Sequence, residues 1–178
     1  TENAGSYDVV VTGPGGSTNS RPAMLWVGAP TSLINGSFEA GYSGWTASGN
    51  QELRSNAAPY VATDGTTLVS FNNGNTAPNG SLSQTLATTP GQDYLLTFDL
   101  GVLAYNTSPQ RMLVTITGNG TIISSYQSIS KTGTAVLQWS RRQIAFTANS
   151  ATTVIVFSDT SATTANINLL LDNVRIAA

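Results

Sequence analysis

The sequence predicts an all-β protein, and three observations carry that expectation. No stretch keeps a 3.6-residue apolar period over helical length. Apolar and polar residues instead alternate in short runs, and clusters of Gly, Asn, Pro and Ser separate those runs. Many strands at short spacing, with no helices between them, read as a sandwich or a barrel, and a count of about ten strands in the larger part favours a two-sheet antiparallel jelly-roll sandwich.

The first 28 residues read as one β-hairpin. Gly5–Thr12 forms one strand, Gly13–Ser17 the turn and Ala23–Val27 the second strand. A lone hairpin is marginal in water, so its apolar face needs a partner. Pro30 and the small residues around it read as a boundary, which divides the chain into residues 1–28 and 29–178.

In the larger part, Tyr94, Leu96, Phe98 and Leu100 alternate with Leu95, Thr97 and Asp99. Met112, Val114 and Ile116 alternate with Leu113, Thr115 and Thr117, and Ile144 and Phe146 with Ala145 and Thr147. The runs 152–157 and 167–176 are more continuously apolar, as expected of strands in the middle of a sheet. Gln84 shares a face with Leu82 and Leu86, so it is either a buried, hydrogen-bonded structural amide or a lining residue, and the structural reading is favoured. Asp64-Gly65, Pro90-Gly91, Gly118-Asn119-Gly120 and Thr132-Gly133 punctuate the runs as turns.

Composition closes off several classes of chemistry. The chain has 178 residues, only 9% of them charged, and a net charge of −2. Nothing is basic enough to steer it to nucleic acid or to an anionic membrane surface. With no His and no Cys, the commonest general base, thiolate chemistry and zinc-thiolate sites are excluded. No apolar run approaches the length of a membrane span. There is no nucleophile-elbow motif and no glycine-rich phosphate loop before a helix. The nine acidic residues form no pair from which a glycosidase site can be derived. The chain therefore reads as a non-enzyme.

Two segments carry family resemblances. ENAGSYDVVVTGPGGS followed by PAMLWV resembles the last two strands of an immunoglobulin-like domain, with Tyr7 at the tyrosine corner and Val9 where many members carry Cys. That resemblance implies that the chain begins inside an Ig-like domain. The alternative is that the hairpin adds an edge pair to the main sandwich. Over residues 32–178, LINGSFEAGYSGW, SLSQTLATTPGQDYLLTFDLG, Trp139–Ala148 and LLLDNVRI resemble the galactose-binding-like jelly rolls. Carbohydrate-binding modules attached to bacterial glycoside hydrolases belong to this family, and so do surface domains of other roles.

This second resemblance implies a structural calcium ion. In members with the signature, the Glu of the opening segment and the Asp of the closing one, here Glu39 and Asp172, help to hold it, and Ser37 and Asp64 are further candidates. Calcium takes six to eight oxygen ligands, about 2.3–2.6 Å away. The alternative is that Glu39 and Asp172 cap turns or pair with an arginine such as Arg175.

The resemblance also implies carbohydrate, polysaccharide or glycan, as partner. Sugar binding needs aromatic faces together with directed polar groups. Trp45, Tyr94 and Phe98 read as core. Tyr60, Tyr105 and Tyr126 remain as ring platforms. The loop 104–111 adds Arg111. Trp139 and Arg142 lie on a strand that packs inward or lines a concave face. The expected ligand set is thus Tyr60, Tyr105, Arg111, Trp139 and Arg142. The expected role is a non-catalytic carbohydrate-binding module in a secreted or surface bacterial protein, the alternative being a structural or adhesive surface domain. Exposed hairpin edges offer chain–chain pairing.

Overall fold

A computed structural model describes residues 5–21, 23–25, 33–72 and 80–178. Among them lie fourteen strands and no helix. The first four are β1 (Gly5–Tyr7), β2 (Val10–Gly13), β3 (Gly16–Asn19) and β4 (Ala23–Leu25). The sandwich strands begin with β5 (Thr46–Ser48), β6 (Gln51–Ser55), β7 (Thr67–Phe71), β8 (Ser81–Ala87) and β9 (Asp93–Ala104). They continue with β10 (Gln110–Gly118), β11 (Gly120–Ile129), β12 (Val136–Thr147), β13 (Thr152–Asp159) and β14 (Ile167–Ala177).

Ten of these build two five-stranded antiparallel sheets, ordered β11-β10-β13-β8-β5 and β12-β9-β14-β7-β6. The two most continuously apolar runs became β13 and β14, each in the middle of its sheet. Alternation sets the faces. Leu96, Phe98, Leu100 and Val102 of β9 are fully buried between the sheets. Phe98 meets Phe157 of β13 edge-on at 5.1 Å, and Trp45 lies 5.4 Å from Phe38 and 6.2 Å from Phe157. These rings tie the sheets together through apolar contact.

β11 was not legible in the sequence. It is an edge strand with an intermittently exposed pattern on both faces, so its Ser-, Thr- and Gln-rich run carries no apolar alternation. β12 extends well before the expected Ile144–Phe146 core.

The N-terminal residues form a nested ribbon, β1 with β4 and β2 with β3, paired with neither five-stranded sheet. Its turn is shorter than expected. Gly13 pairs with Gly16, leaving only Pro14 and Gly15 in the turn, and Gly16 takes a positive φ of 117° that a side chain would resist. Every side chain from Tyr7 to Arg21 is exposed. Trp26 and the expected boundary at Pro30 lie outside the described residues.

The opening segment of the sandwich holds both sheets at once. Ile34 N–H donates to Gln84 Oε1 at 2.8 Å, and Gln84 Nε2 donates to Ile34 O at 3.0 Å, so the buried amide of β8 is satisfied by backbone, as the sequence led us to expect. Two residues on, Val174 N–H of β14 donates to Gly36 O at 2.9 Å. Trp45 Nε1 donates to Asn35 O at 3.0 Å and holds the turn against the core. Asn35 itself adopts a left-handed φ of 51°, tolerated by an asparagine, and its side chain bridges to Gly41 O and Ala40 N.

Gly36 has no room for a side chain, because a Cβ there overlaps the Val174 carbonyl and meets Leu33. Gly36→Ala is expected to push β14 away from the opening turn and to cost about 2–4 kcal/mol in urea unfolding. A loss below about 0.5 kcal/mol means that this contact is not what closes the sandwich.

Candidate functional site

Of the residues expected to hold calcium, Asp172 and Glu39 meet the same loop, residues 63–67, as hydrogen-bond acceptors. Asp172 is fully buried. Its Oδ2 accepts from Thr63 N–H at 2.7 Å, Thr63 Oγ1 at 3.1 Å and Asp64 N–H at 3.0 Å, while its Oδ1 accepts from Asn173 N–H at 2.6 Å. Glu39 takes the next stretch of the same loop. Its Oε1 accepts from Thr66 N–H at 2.8 Å and Thr67 N–H at 2.6 Å, and its Oε2 from Thr66 Oγ1 at 2.8 Å. Asp64 pairs with Arg175. Ser37 sits in the opening turn with no hydrogen bond to the other three.

All four carboxylate oxygens of Asp172 and Glu39 accept from N–H or O–H donors of the chain, and Arg175 supplies positive charge beside Asp64. Among the described residues no group of three or more acidic side chains converges on a metal position. Arg175 pairs with Asp64 and not with Glu39 or Asp172, the two acids for which that pairing was the alternative. An ion held only by the folded chain would add about 2.7 kcal/mol at a hundredfold excess over its dissociation constant. Melting temperatures in EDTA and in millimolar calcium are instead expected to coincide. A calcium-dependent rise of several degrees overturns the acceptor reading of this clasp.

Burial pushes the Asp172 carboxyl up from 3.8 to about 6, against the Thr63 and Asn173 bonds that favour its charge. Burial also raises Asp159, opposed by its bonds from Ser161. Glu39 is held below its ordinary value, chiefly by the Thr66 backbone N–H. A carboxyl raised on folding binds its proton more tightly when folded. Its stabilisation is complete below 3.8 and is lost as the pH rises through about 6. Unfolding free energy is therefore expected to be about 1–2 kcal/mol larger near pH 5 than near pH 7.5. Asp159→Asn keeps an oxygen for Ser161 and should reduce that slope. Greater stability at the higher pH contradicts the assignment.

On the outer face of the β11-β10-β13-β8-β5 sheet, a cleft of about 310 Å³ opens at the end of β10 and β11. It is lined by Pro109, Arg111, Ser128, Thr160 and Ala162. Register places Arg111 directly opposite Ser128 and Leu113 opposite Tyr126, so Arg111, Tyr126 and Ser128 share one face. The Arg111 guanidinium lies 4.4 Å from the centre of the Tyr126 ring, which is 57% exposed. The Arg111 backbone is pinned on both sides, its N–H donating to Ser161 Oγ at 3.0 Å and its carbonyl accepting from Thr160 N–H at 2.8 Å. Asp159 holds Ser161 in turn, through Oδ1 to Ser161 N–H at 2.8 Å and to Ser161 Oγ at 2.6 Å. The far wall is thus rigid before any ligand arrives.

The five expected ligand residues divide between two faces. Arg111 lines the cleft. Arg142 reaches its edge from between the sheets, with Nη2 donating to Ser128 O at 2.7 Å. Tyr105 is 43% exposed in the loop before β10, where its N–H donates to Asn166 O at 3.1 Å. Tyr60 and Trp139 come together on the other sheet and act in packing. With Ala62 and Leu137 they cover Leu68, Leu103 and Leu170, a small second core. Trp139 lies against Gly101, where a Cβ would sit 2.5 Å from the indole, and its Nε1 donates to Val61 O at 2.9 Å. The loop 56–66 thereby roofs this sheet. Ser128, Thr160 and Ala162 were not foreseen, although the i, i+2 spacing of Tyr126 and Ser128 would have placed them on one face had β11 been recognised as a strand.

A family model matches residues 31–177. The chain belongs to the DUF642 family. That family is described as proteins of unknown function. No curated protein matches this DUF642 member. Among solved structures, TmCBM61 in complex with β-1,4-galactotriose is similar at a TM-score of 0.61 and 19% identity, over 83% of this chain and 98% of that one. The CBM22-1 xylan-binding domain of Paenibacillus barcinonensis Xyn10C gives 0.53 and 19%, over 86% and 96%. The K1 cleaved adhesin domain of Lys-gingipain from Porphyromonas gingivalis W83 gives 0.57 and 17%, over 76% and 91%. The DUF642 sandwich therefore has the jelly-roll fold of carbohydrate-binding modules.

Proposed function

We propose that this chain is a non-catalytic carbohydrate-binding module whose ligand enters the Arg111–Tyr126 cleft. The observation that carries the reading is the cleft itself. A guanidinium and the hydroxyl-bearing residues Ser128 and Thr160 line about 310 Å³, within the range of small-ligand pockets, and the exposed Tyr126 ring lies beside Arg111 on the same face. A pyranose offers the matching chemistry, with an apolar face for the ring and hydroxyls for the polar groups. The structural likeness to carbohydrate-binding modules supports the reading at the level of fold. The lining carries no carboxylate, and glycoside hydrolysis needs two, so the cleft holds and does not cut. A secreted or cell-surface location in a bacterium fits this role, and the exposed N-terminal ribbon fits the end of a preceding Ig-like spacer.

The test is titration calorimetry against a panel of neutral and acidic oligosaccharides, with Tyr126→Ala alongside. Tyr126 is exposed, so its removal should leave the melting temperature unchanged while weakening binding at least tenfold, about 1.4 kcal/mol. Absence of saturable binding to any sugar at millimolar concentration favours the adhesive or structural reading instead.

A further inference from the structure

Arg111 is set apart from other arginines of the sandwich by its surroundings. Arg54, Arg141 and Arg175 each pair with a carboxylate, namely Glu52, Asp99 and Asp64. Arg111 pairs with none among the described residues. Its Nε donates to Thr160 Oγ1 at 3.3 Å, and its central carbon lies 4.4 Å from the centre of the Tyr126 ring. Its two terminal nitrogens make no hydrogen bond among the described residues, so the edge of the guanidinium suited to a two-pronged acceptor is unspent. The neighbouring acid, Asp159, is only 4% exposed and turns its Oδ1 to Ser161. A second cation, Arg142, reaches the Ser128 carbonyl at the cleft's edge. The lining holds no acid. The lining thus carries one guanidinium and no carboxylate on a protein of net charge −2.

We infer that the cleft selects acidic sugars. It takes a hexuronate residue whose carboxylate docks in two-pronged fashion on the Arg111 terminal nitrogens, whose ring lies against Tyr126, and whose hydroxyls meet Ser128 and Thr160. A planar guanidinium held beside a ring and by its Nε bond to Thr160 matches a carboxylate in geometry as well as charge, and little order is lost on binding. A neutral sugar leaves that edge to water. This inference rests on the sugar-binding reading of the same cleft and names its ligand class.

The experiment compares four probes on the whole chain: oligomers of galacturonate, mannuronate and glucuronate, the methyl esters of the same oligomers, neutral galactotriose, and free acetate. At least one acid oligomer is expected to bind ten-fold or more tighter than its own ester and than galactotriose, and to weaken with added salt. Arg111→Gln should bring the acid-to-ester ratio near one, and Arg111→Lys should recover only part of it. Equal affinity for acid and ester, or an acid preference that survives Arg111→Gln, overturns the inference while leaving sugar binding in place. Acetate binding as well as the oligomers do reduces the site to a free-carboxylate site and overturns it too. Binding of no sugar at all by the folded chain removes both this inference and the reading beneath it.

Discussion

The sandwich depends on one short piece of chain, residues 34–39, which is hydrogen-bonded to both sheets. Ile34 is locked to the Gln84 amide of one sheet, and Gly36 to β14 of the other. Apolar burial drives the two layers together, but it is non-directional and does not say how one layer is set on the other. Directed bonds from one segment to both layers do say so. Glu39 and Asp172 extend the same fastening by accepting from successive residues of one loop, Thr66 and Thr67 for the first, Thr63 and Asp64 for the second. A loop that would otherwise have to satisfy its own N–H groups is organised by two acids far apart in sequence.

That organisation gives the acids of the opening and closing motifs a shared role as acceptors for one loop. A buried carboxylate must be compensated, and either a cation or a ring of N–H donors does it. Here the donors come from the backbone of the 63–67 loop, and Arg175 stands beside Asp64. The cost appears in Asp172, which burial raises to about 6 despite its hydrogen bonds.

Much of the fold could be read from the sequence because its core strands alternate. Tyr94–Leu100, Met112–Ile116 and the two continuous apolar runs each carry a period that burial enforces. The core role of Trp45 and the backbone-satisfied Gln84 followed from the same alternation. Residues with no such signal were missed. β11 lies at a sheet edge and buries little, so its pattern is polar, and with it went Ser128 as a cleft residue. Aromatic residues were legible as a class but not by face. Trp139 and Tyr60 lie over one sheet and Tyr126 over the other, because strand register decides which way a ring points and sequence periodicity does not supply register. Asp99 alternates with Phe98 and Leu100 along β9. It lies on the outer face, yet it is only 7% exposed, since Arg141 approaches to 3.7 Å and Asn173 donates to it at 2.9 Å.

The roof made by loop 56–66 has a consequence for how the molecule meets a large object. With Trp139 pressed onto Gly101 and Tyr60 folded over Leu68 and Leu170, that side presents no open row of rings. The recess at the end of β10 and β11 opens on the other sheet, so a sugar held there would meet the molecule from one side only.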